Sequence, residues 1–505
     1  VNSPVMGVAK GLQTEFADES GVLDVLIIGA GFSGLCAGYY LKKEGVQRFL
    51  ILEKTDNVGG TWNKNRYPGA ACDVPSHFYC FSFALNPDWS RVYSPQAEIL
   101  AYLENCANEF ELRPHLKFNQ EVQSIRFDEK DQIWRAQIDE ETVIAARQVI
   151  IGSGGLNTPY EPELDGLSDF KGPVFHTAKW RDDVELKDKE IVVVGSAASA
   201  VQAVPELAKM AKRVTMFQRT PNYVIPRQDR AYTEAEKARF RKSKWRLKLE
   251  RLKIYLRFEY VLSPFFKKHS WLRSKIEDRV KRHILSSFSD RRLAKSLIPD
   301  YDMGCKRILI SDDFYPALAR ENVDVNTNGI HYVDHSAVID RAGNRISADL
   351  IVLATGFDLQ GQMTAIDIQG RKGVHLSERW DDLPGAYLGA MVDGFPNLYF
   401  MTGPNTGVGS TSIVHMIEAQ MQFVLQCLKK AGNTHLLEPT PDAVARYNQF
   451  LQGALTNTVW AGSCKSWYKD EEGRNFTLYP KPARFFWRER KKLNLKDMKI
   501  WSRSG

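Results

Sequence analysis

Residues 24–53 read DVLIIGAGFSGLCAGYYLKKEGVQRFLILE. Val25-Leu26-Ile27-Ile28 is a short apolar run of the kind that forms a strand buried on both faces. It breaks at Gly29-Ala30-Gly31-Phe32-Ser33-Gly34 and resumes as a helical pattern through Tyr40 and Leu41. A second apolar run, Phe49-Leu50-Ile51-Leu52, ends in Glu53. That order is a βαβ unit with a GxGxxG turn and a terminal acid. Gly29 suits the tight turn, Gly31 lets backbone approach a pyrophosphate, and Gly34 lets helix and strand pack closely. The first helical turn, with Phe32 and Ser33, offers unpaired N–H groups to phosphates. Glu53, followed by Lys54, can accept a hydrogen bond from a ribose hydroxyl. A bare GxGxxG is weak evidence, but strand, helix and acid in register point to a dinucleotide site.

Downstream lie Asn57-Val58-Gly59-Gly60-Thr61-Trp62 and Arg66-Tyr67-Pro68-Gly69-Ala70-Ala71-Cys72-Asp73-Val74-Pro75-Ser76. Long polar loops rich in Gly and Pro inside a compact domain are usually functional. They are expected to wrap the cofactor's ring system, with Gly60, Thr61, Trp62, Tyr67, Asp73, Val74 and Tyr79 as contacts. At Glu190 the opening pattern returns: Ile191-Val192-Val193-Val194, then Gly195-Ser196-Ala197-Ala198-Ser199-Ala200, with Val214-Thr215-Met216-Phe217 as the second strand. Ala197 replaces the middle glycine, which costs room for a phosphate. The second strand ends in Gln218-Arg219-Thr220 and not in an acid. An arginine there can fork onto a ribose 2′-phosphate, so NADPH is expected over NADH. The run Leu350-Ile351-Val352-Leu353 closes on Ala354-Thr355-Gly356, a further candidate contact. Two dinucleotide folds in one chain imply a flavin and a nicotinamide cofactor.

At 505 residues, 43% of them hydrophobic, the chain is long enough for two or three domains of a globular protein. It contains no run approaching the ~20 apolar residues that cross a membrane. The first twenty residues lack the build of a secretory signal and read as a mobile arm. Seven scattered cysteines with no CxxC pair fit a reducing, cytoplasmic setting, with no disulfide framework and no metal site. They also count against a flavin disulfide reductase. Ala231 to Asp300 carries 20 Lys and Arg against 8 Asp and Glu, more than the whole-chain surplus of +7. Leu249, Leu252 and Leu256 follow helical spacing there, and the stretch reads as a helical insertion. The expected arrangement is a packed apolar face under a solvated basic one, so contact with a membrane surface is not expected. Nucleic acid is not expected either, since no binding module is recognisable.

Phe170-Lys171-Gly172-Pro173-Val174-Phe175-His176-Thr177-Ala178-Lys179-Trp180 has the spacing Phe, one residue, Gly, three, His, three, Trp. With RYPGAACD, Ala354–Asp358, Cys305-Lys306-Arg307 and Ser466-Trp467-Tyr468, it resembles the class B flavoprotein monooxygenases, and among them the Baeyer–Villiger monooxygenases. The resemblance spans about Asp24 to Trp487 and departs from the family pattern at Arg181 and Ala197. It implies an α/β protein with two Rossmann-like domains, for FAD (21–155 and 376–505) and for NADP (156–226 and 303–375), with the insertion at 227–302. It implies oxidation of a small-molecule ketone by O2 and NADPH through a flavin peroxide stabilised by Arg307. In that reading Asp73 partners the arginine, Lys306 is a second ligand for the 2′-phosphate, and Trp467 meets the cofactor or the substrate entrance. His176 is read as a linker that couples domain movement, Trp180 as packing, and the protein as a monomer or weak dimer. Oxygenation of amine nitrogen or sulfide sulfur, and NADPH oxidase or reductase activity without oxygen insertion, are the alternatives.

Overall fold

A computed structural model describes residues 16–503. Val22–Ile28 pairs in parallel with Phe49–Leu52 on one side and with Val143–Ile151 on the other. Phe49–Leu52 is buried throughout, as an unbroken apolar run between covered sheet faces should be. The sheet ends at Leu116–Lys117 on one edge. In the other direction it runs through Ile133–Gln137 and Ser124–Asp128 to Asp367–Gln369, with Leu398–Phe400 also paired to Val143–Ile151. The second sheet has five parallel strands in the order Val323–Asn326, Arg213–Phe217, Glu190–Val194, Leu350–Leu353 and Val174–His176. In both sheets the glycine turn sits at the carboxyl end of a central strand, where open α/β sheets bind their ligands.

Two expectations about organisation need correction. Asp367–Gln369 pairs with Ser124–Arg126, so the chain has rejoined the first sheet before residue 376. A strand of only three residues is too short to leave a periodic signal. The N-terminal arm is anchored where it is described: Phe16 packs on the first sheet's core and Asp18 pairs with Arg147 at 2.6 Å. Residues 1–15 lie outside the described residues.

The insertion is helical, with main segments Glu234–Lys242, Lys244–Arg257, Trp271–Ser287 and Arg291–Ser296. Thr233 and Glu236 form a capping box that fixes its first turn. Lys244–Arg257 buries Leu247 and Arg251. Arg251 donates to the Cys80 carbonyl at 2.9 Å and stands 3.8 Å from the carboxylate of Glu418, on helix Ile413–Ala431. Glu418 in turn accepts from the Ser82 N–H and hydroxyl at 2.7 and 2.6 Å. This buried charge pair clamps the insertion to the first sheet's domain, and removing one partner would strand the other charge.

The leucine stripe points the other way from the sequence reading. Leu249, Leu252 and Leu256 are 40%, 47% and 42% exposed. The helix carries apolar residues on two opposite sides, and a 3.6-residue period does not say which side faces inward. No helix among the described residues is long and apolar enough to cross a membrane.

Candidate active site

Both glycine turns open onto one cavity of about 1490 Å³. Gly29 has φ +96° and lies so close to the chain at Gly152 that a Cβ there would sit 2.6 Å from the Gly152 carbonyl oxygen. A Cβ at Gly34 would fall 1.8 Å from the Gly29 carbonyl oxygen, so Gly34 is where helix Phe32–Lys43 touches the turn. Gly31 is extended and faces Gly60, with only the Gly60 Cα and N within 4 Å of its Cβ position. Among the described residues no side chain enters the gap between these two glycines. Glu53 is buried and closes the turn from below: its carboxylate accepts from the Ala30 N–H at 2.8 Å and from the Thr55 N–H and hydroxyl at 2.9 and 2.8 Å. It still borders the cavity, and a carboxylate has about four acceptor positions, which leaves capacity for a ribose hydroxyl.

The second turn repeats the first. Gly195 has φ +114° and abuts the Ala354 carbonyl oxygen, 2.4 Å from where a Cβ would stand. Ala197 caps helix Ala198–Met210 with φ −90° and ψ −158°, close to the −81° and −162° of Gly31. The alanine therefore adopts the turn without backbone strain and costs only the volume of its methyl group. Neither helix has a side-chain N-cap, so the first N–H groups of both remain available to phosphate oxygens.

The loop from Tyr67 to Asp73 is held between the two units. The Tyr67 hydroxyl donates to the Gln202 side chain at 2.9 Å, and Gln202 donates to the Ala71 carbonyl at 2.9 Å. Gly69 rests on the same residue; a Cβ there would meet the Gln202 carbonyl oxygen at 2.4 Å. The Cys72 N–H is fixed to the Ser94 carbonyl at 3.0 Å. Asp73 is thereby presented to the cavity. From the opposite side, strand Leu309–Ile310 pairs with Val224–Ile225 and brings Arg307 to meet it. Arg307 Nε and Nη2 both donate to Asp73 Oδ2, at 2.9 and 2.5 Å. The Arg307 side chain is 40% exposed, and that surface looks into the cavity. Asp73 beside it pushes the guanidinium further up, against the opposing effect of burial, so the charge is permanent.

Arg219 and Lys306 converge on another part of the wall. Burial, with Arg219 nearby, holds the Lys306 ammonium below its usual range. Two cations set facing each other are stabilised by a polyanion between them.

Of the candidate contacts, Gly34 and Ala200 do not reach the cavity; both are buried packing positions behind it. The rest line it, including Phe32, Ser33, Lys54, Gly60, Thr61, Trp62, Val74, Tyr79, Ser196, Ser199, Thr220, Thr355, Gly356 and Trp467. His176 lies outside the wall, buried at a strand end, where its Nδ1 accepts from the Ala178 N–H at 3.0 Å. Trp180 packs edge-on against Phe175.

Two features escaped the sequence reading. Gln202, the bridge described above, lies inside a helix with no motif to mark it. Cys305 and Cys464 form a disulfide, which corrects the expectation of none; 159 positions separate them. The disulfide ties the segment preceding Arg307 to the loop that carries Trp467 and Tyr468, and the Trp460 indole N–H adds a bond to the Gly304 carbonyl at 2.9 Å. The other five cysteines are free and buried. Alkylation of the denatured protein is expected to label five thiols before reduction and seven after, read by mass spectrometry. Seven labels without reductant would remove the bridge.

A family model described as pyridine nucleotide-disulphide oxidoreductase matches residues 26–239. A Baeyer–Villiger monooxygenase of Pseudomonas aeruginosa is 42% identical over 470 residues, covering 92% of this chain and 88% of its own. Among solved structures, OTEMO in complex with FAD and NADP superimposes with a TM-score of 0.87 at 26% identity, covering 95% of this chain and 99% of its own. Cyclohexanone monooxygenase from Rhodococcus sp. Phi1 bound to NADP+ gives 0.86 at 27%, with the same coverage.

Proposed function

This chain belongs to the Baeyer–Villiger monooxygenases, class B flavoproteins, and from that premise we propose how its residues perform the reaction. A ketone, O2, NADPH and a proton become an ester or lactone, NADP+ and water. One oxygen atom enters between the carbonyl carbon and its neighbour; the other leaves in water. The residues fit both cofactors. The side-chain-free gap at Gly31 and Gly60 and the uncapped helix at Phe32 suit the pyrophosphate of FAD, with Glu53 toward its ribose. The uncapped helix at Ala198 suits that of NADPH, with Arg219 and Lys306 for the 2′-phosphate. What the cofactors supply when bound is a two-electron reduction by NADPH and activation of O2.

The observation that carries the reading is the Arg307–Asp73 fork on the wall of a cavity shared by both glycine turns. Oxygen insertion builds negative charge on oxygen, and Arg307 holds a positive charge there that cannot be lost as a proton. Asp73 orients the guanidinium by binding two of its N–H groups. Tyr468, whose phenol burial pushes up to about 12, stays neutral beside the pair. Helix Ile413–Ala431 begins at the cavity, with Thr411 and Ile413 in its wall, so its positive end adds to the same field.

The test is turnover under 18O2 with NADPH and a panel of ketones, amines and sulfides. An ester carrying one labelled oxygen is expected. Labelled amine or sulfide oxides without ester, or hydrogen peroxide alone, would overturn the reading. Cofactor choice is tested separately. Arg219→Ala is expected to raise the KM for NADPH about tenfold and to leave that for NADH within about twofold. An unchanged preference would take Arg219 out of the site.

A further inference from the structure

Helix Lys244–Arg257 has two apolar sides, and among the described residues only one of them has a partner. On the outer side Trp245, Leu249, Leu252 and Leu256 are 63%, 40%, 47% and 42% exposed. At 100° per residue these four fall within an arc of about 60°, in a stripe about 17 Å long. Tyr260 and Val261, 59% and 52% exposed, extend it past the helix end. Isolated exposed apolar residues need no explanation, but a continuous stripe on one helix face does.

The borders of the stripe are basic. Arg246, Lys253 and Arg257 are exposed along one side and Lys248 along the other, with Lys242 just before the helix and Arg241 beside it paired with Asp88. At the far end the Arg484 guanidinium lies 5.3 Å from the Tyr260 ring and is paired with the buried Glu259 at 3.0 Å. The nearest acid on the helix is Glu250, which is half-buried and lies 3.5 Å from Lys253. An apolar stripe between rows of Lys and Arg, on a helix whose other face is fixed to the protein, is complementary to the surface of an anionic bilayer. Leucine and tryptophan enter the acyl boundary while the basic side chains meet the headgroup phosphates.

We propose that this helix docks the enzyme on anionic lipid surfaces. The same helix supplies Ile254 and Arg257 to the cavity wall, so docking would set the ketone pocket beside the bilayer, where apolar ketones concentrate. The clamp of Arg251 to Cys80 and Glu418 keeps the stripe outward and rigid, so docking requires no opening of the fold.

The experiment is flotation of the FAD-loaded enzyme with vesicles of phosphatidylcholine alone or mixed with phosphatidylglycerol. Two double variants, Leu249→Glu with Leu252→Glu and Lys248→Glu with Lys253→Glu, are run beside it. None of these residues lines the cavity, so turnover of a water-soluble ketone should be unchanged. The wild type is expected to float with the anionic vesicles only, and each double variant to bind them on the order of tenfold more weakly. Failure of the wild type to float with anionic vesicles at low salt would overturn the proposal. So would flotation of the leucine variant equal to wild type, since the stripe would then take no part. A wild-type dimer that becomes a monomer in the leucine variant, with neither binding vesicles, would reassign the stripe to self-association.

Discussion

Arg307→Ala is expected to oxidise NADPH at close to the wild-type rate and to form ester on the order of a hundredfold to a thousandfold more slowly, the usual effect of deleting one charge-stabilising donor. The expectation rests on where the guanidinium is and what fixes it. Its Nε and Nη2 both bind Asp73 Oδ2, and its remaining N–H groups are left for the cavity. In the proposed assignment electron transfer from NADPH uses the two glycine turns and the Arg219–Lys306 pair, and Arg307 belongs to neither. Consumed O2 should therefore appear as hydrogen peroxide in place of ester. Removing Arg307 also leaves Asp73 as a bare carboxylate on the wall, repelling the negative charge that oxygen insertion builds. The Arg307→Ala, Asp73→Ala double variant should accordingly make ester no more slowly than the single variant. Arg307→Lys keeps a charge but loses the fork, and should fall between alanine and wild type. Ester formation by Arg307→Ala at the wild-type ratio to NADPH consumed would sink this role for the arginine.

The parts of this site that were legible in the sequence are those written locally. Gly29, Gly31 and Glu53 span one βαβ unit, and Arg219 follows the second strand of the other by two residues, so spacing along the chain suffices to bring them to the cavity wall. Arg307 and Asp73 lie 234 positions apart, and residue chemistry alone does not pair them; only the family resemblance did. The Cys305–Cys464 bridge and the Gln202 contacts to the Tyr67–Ala71 loop are long-range in the same way and left no local trace. The insertion shows a different limit. Its helical period was readable, but Leu247 faces in while Leu249, Leu252 and Leu256 face out. Orientation is decided by the buried Arg251, whose partner Glu418 is on a distant helix. A basic residue at an inward position reverses the simplest amphipathic reading.

Gly34→Ala and Gly31→Ala, three positions apart in the same motif, are expected to fail in opposite ways. At Gly34 the added methyl group would lie 1.8 Å from the Gly29 carbonyl oxygen and 3.0 Å from its carbon. Both are backbone atoms, so no side chain can rotate to make space. Gly29 cannot retreat either, because it already holds φ +96° with the Gly152 carbonyl against it. The helix must therefore lift from the turn, at a cost of about 3 kcal/mol or more. The strand beneath, Val22–Ile28, is central to the first sheet, so the displacement is carried into the core. Gly34→Ala should yield protein with little or no FAD and a lowered melting temperature even without cofactor. At Gly31 the methyl group would lie 3.6 Å from the Gly60 Cα, an ordinary contact, on a backbone that alanine accepts, as Ala197 demonstrates in the second turn. Gly31→Ala should fold with the wild-type apo melting temperature and bind FAD more weakly, because its methyl group occupies the gap that a pyrophosphate would use. Flavin absorbance per polypeptide, with thermal melts of the apo forms, separates the two variants. Wild-type FAD content and stability in Gly34→Ala would show that the helix does not depend on that contact. A lowered apo melting temperature in Gly31→Ala would mean that this glycine serves the fold and not the ligand.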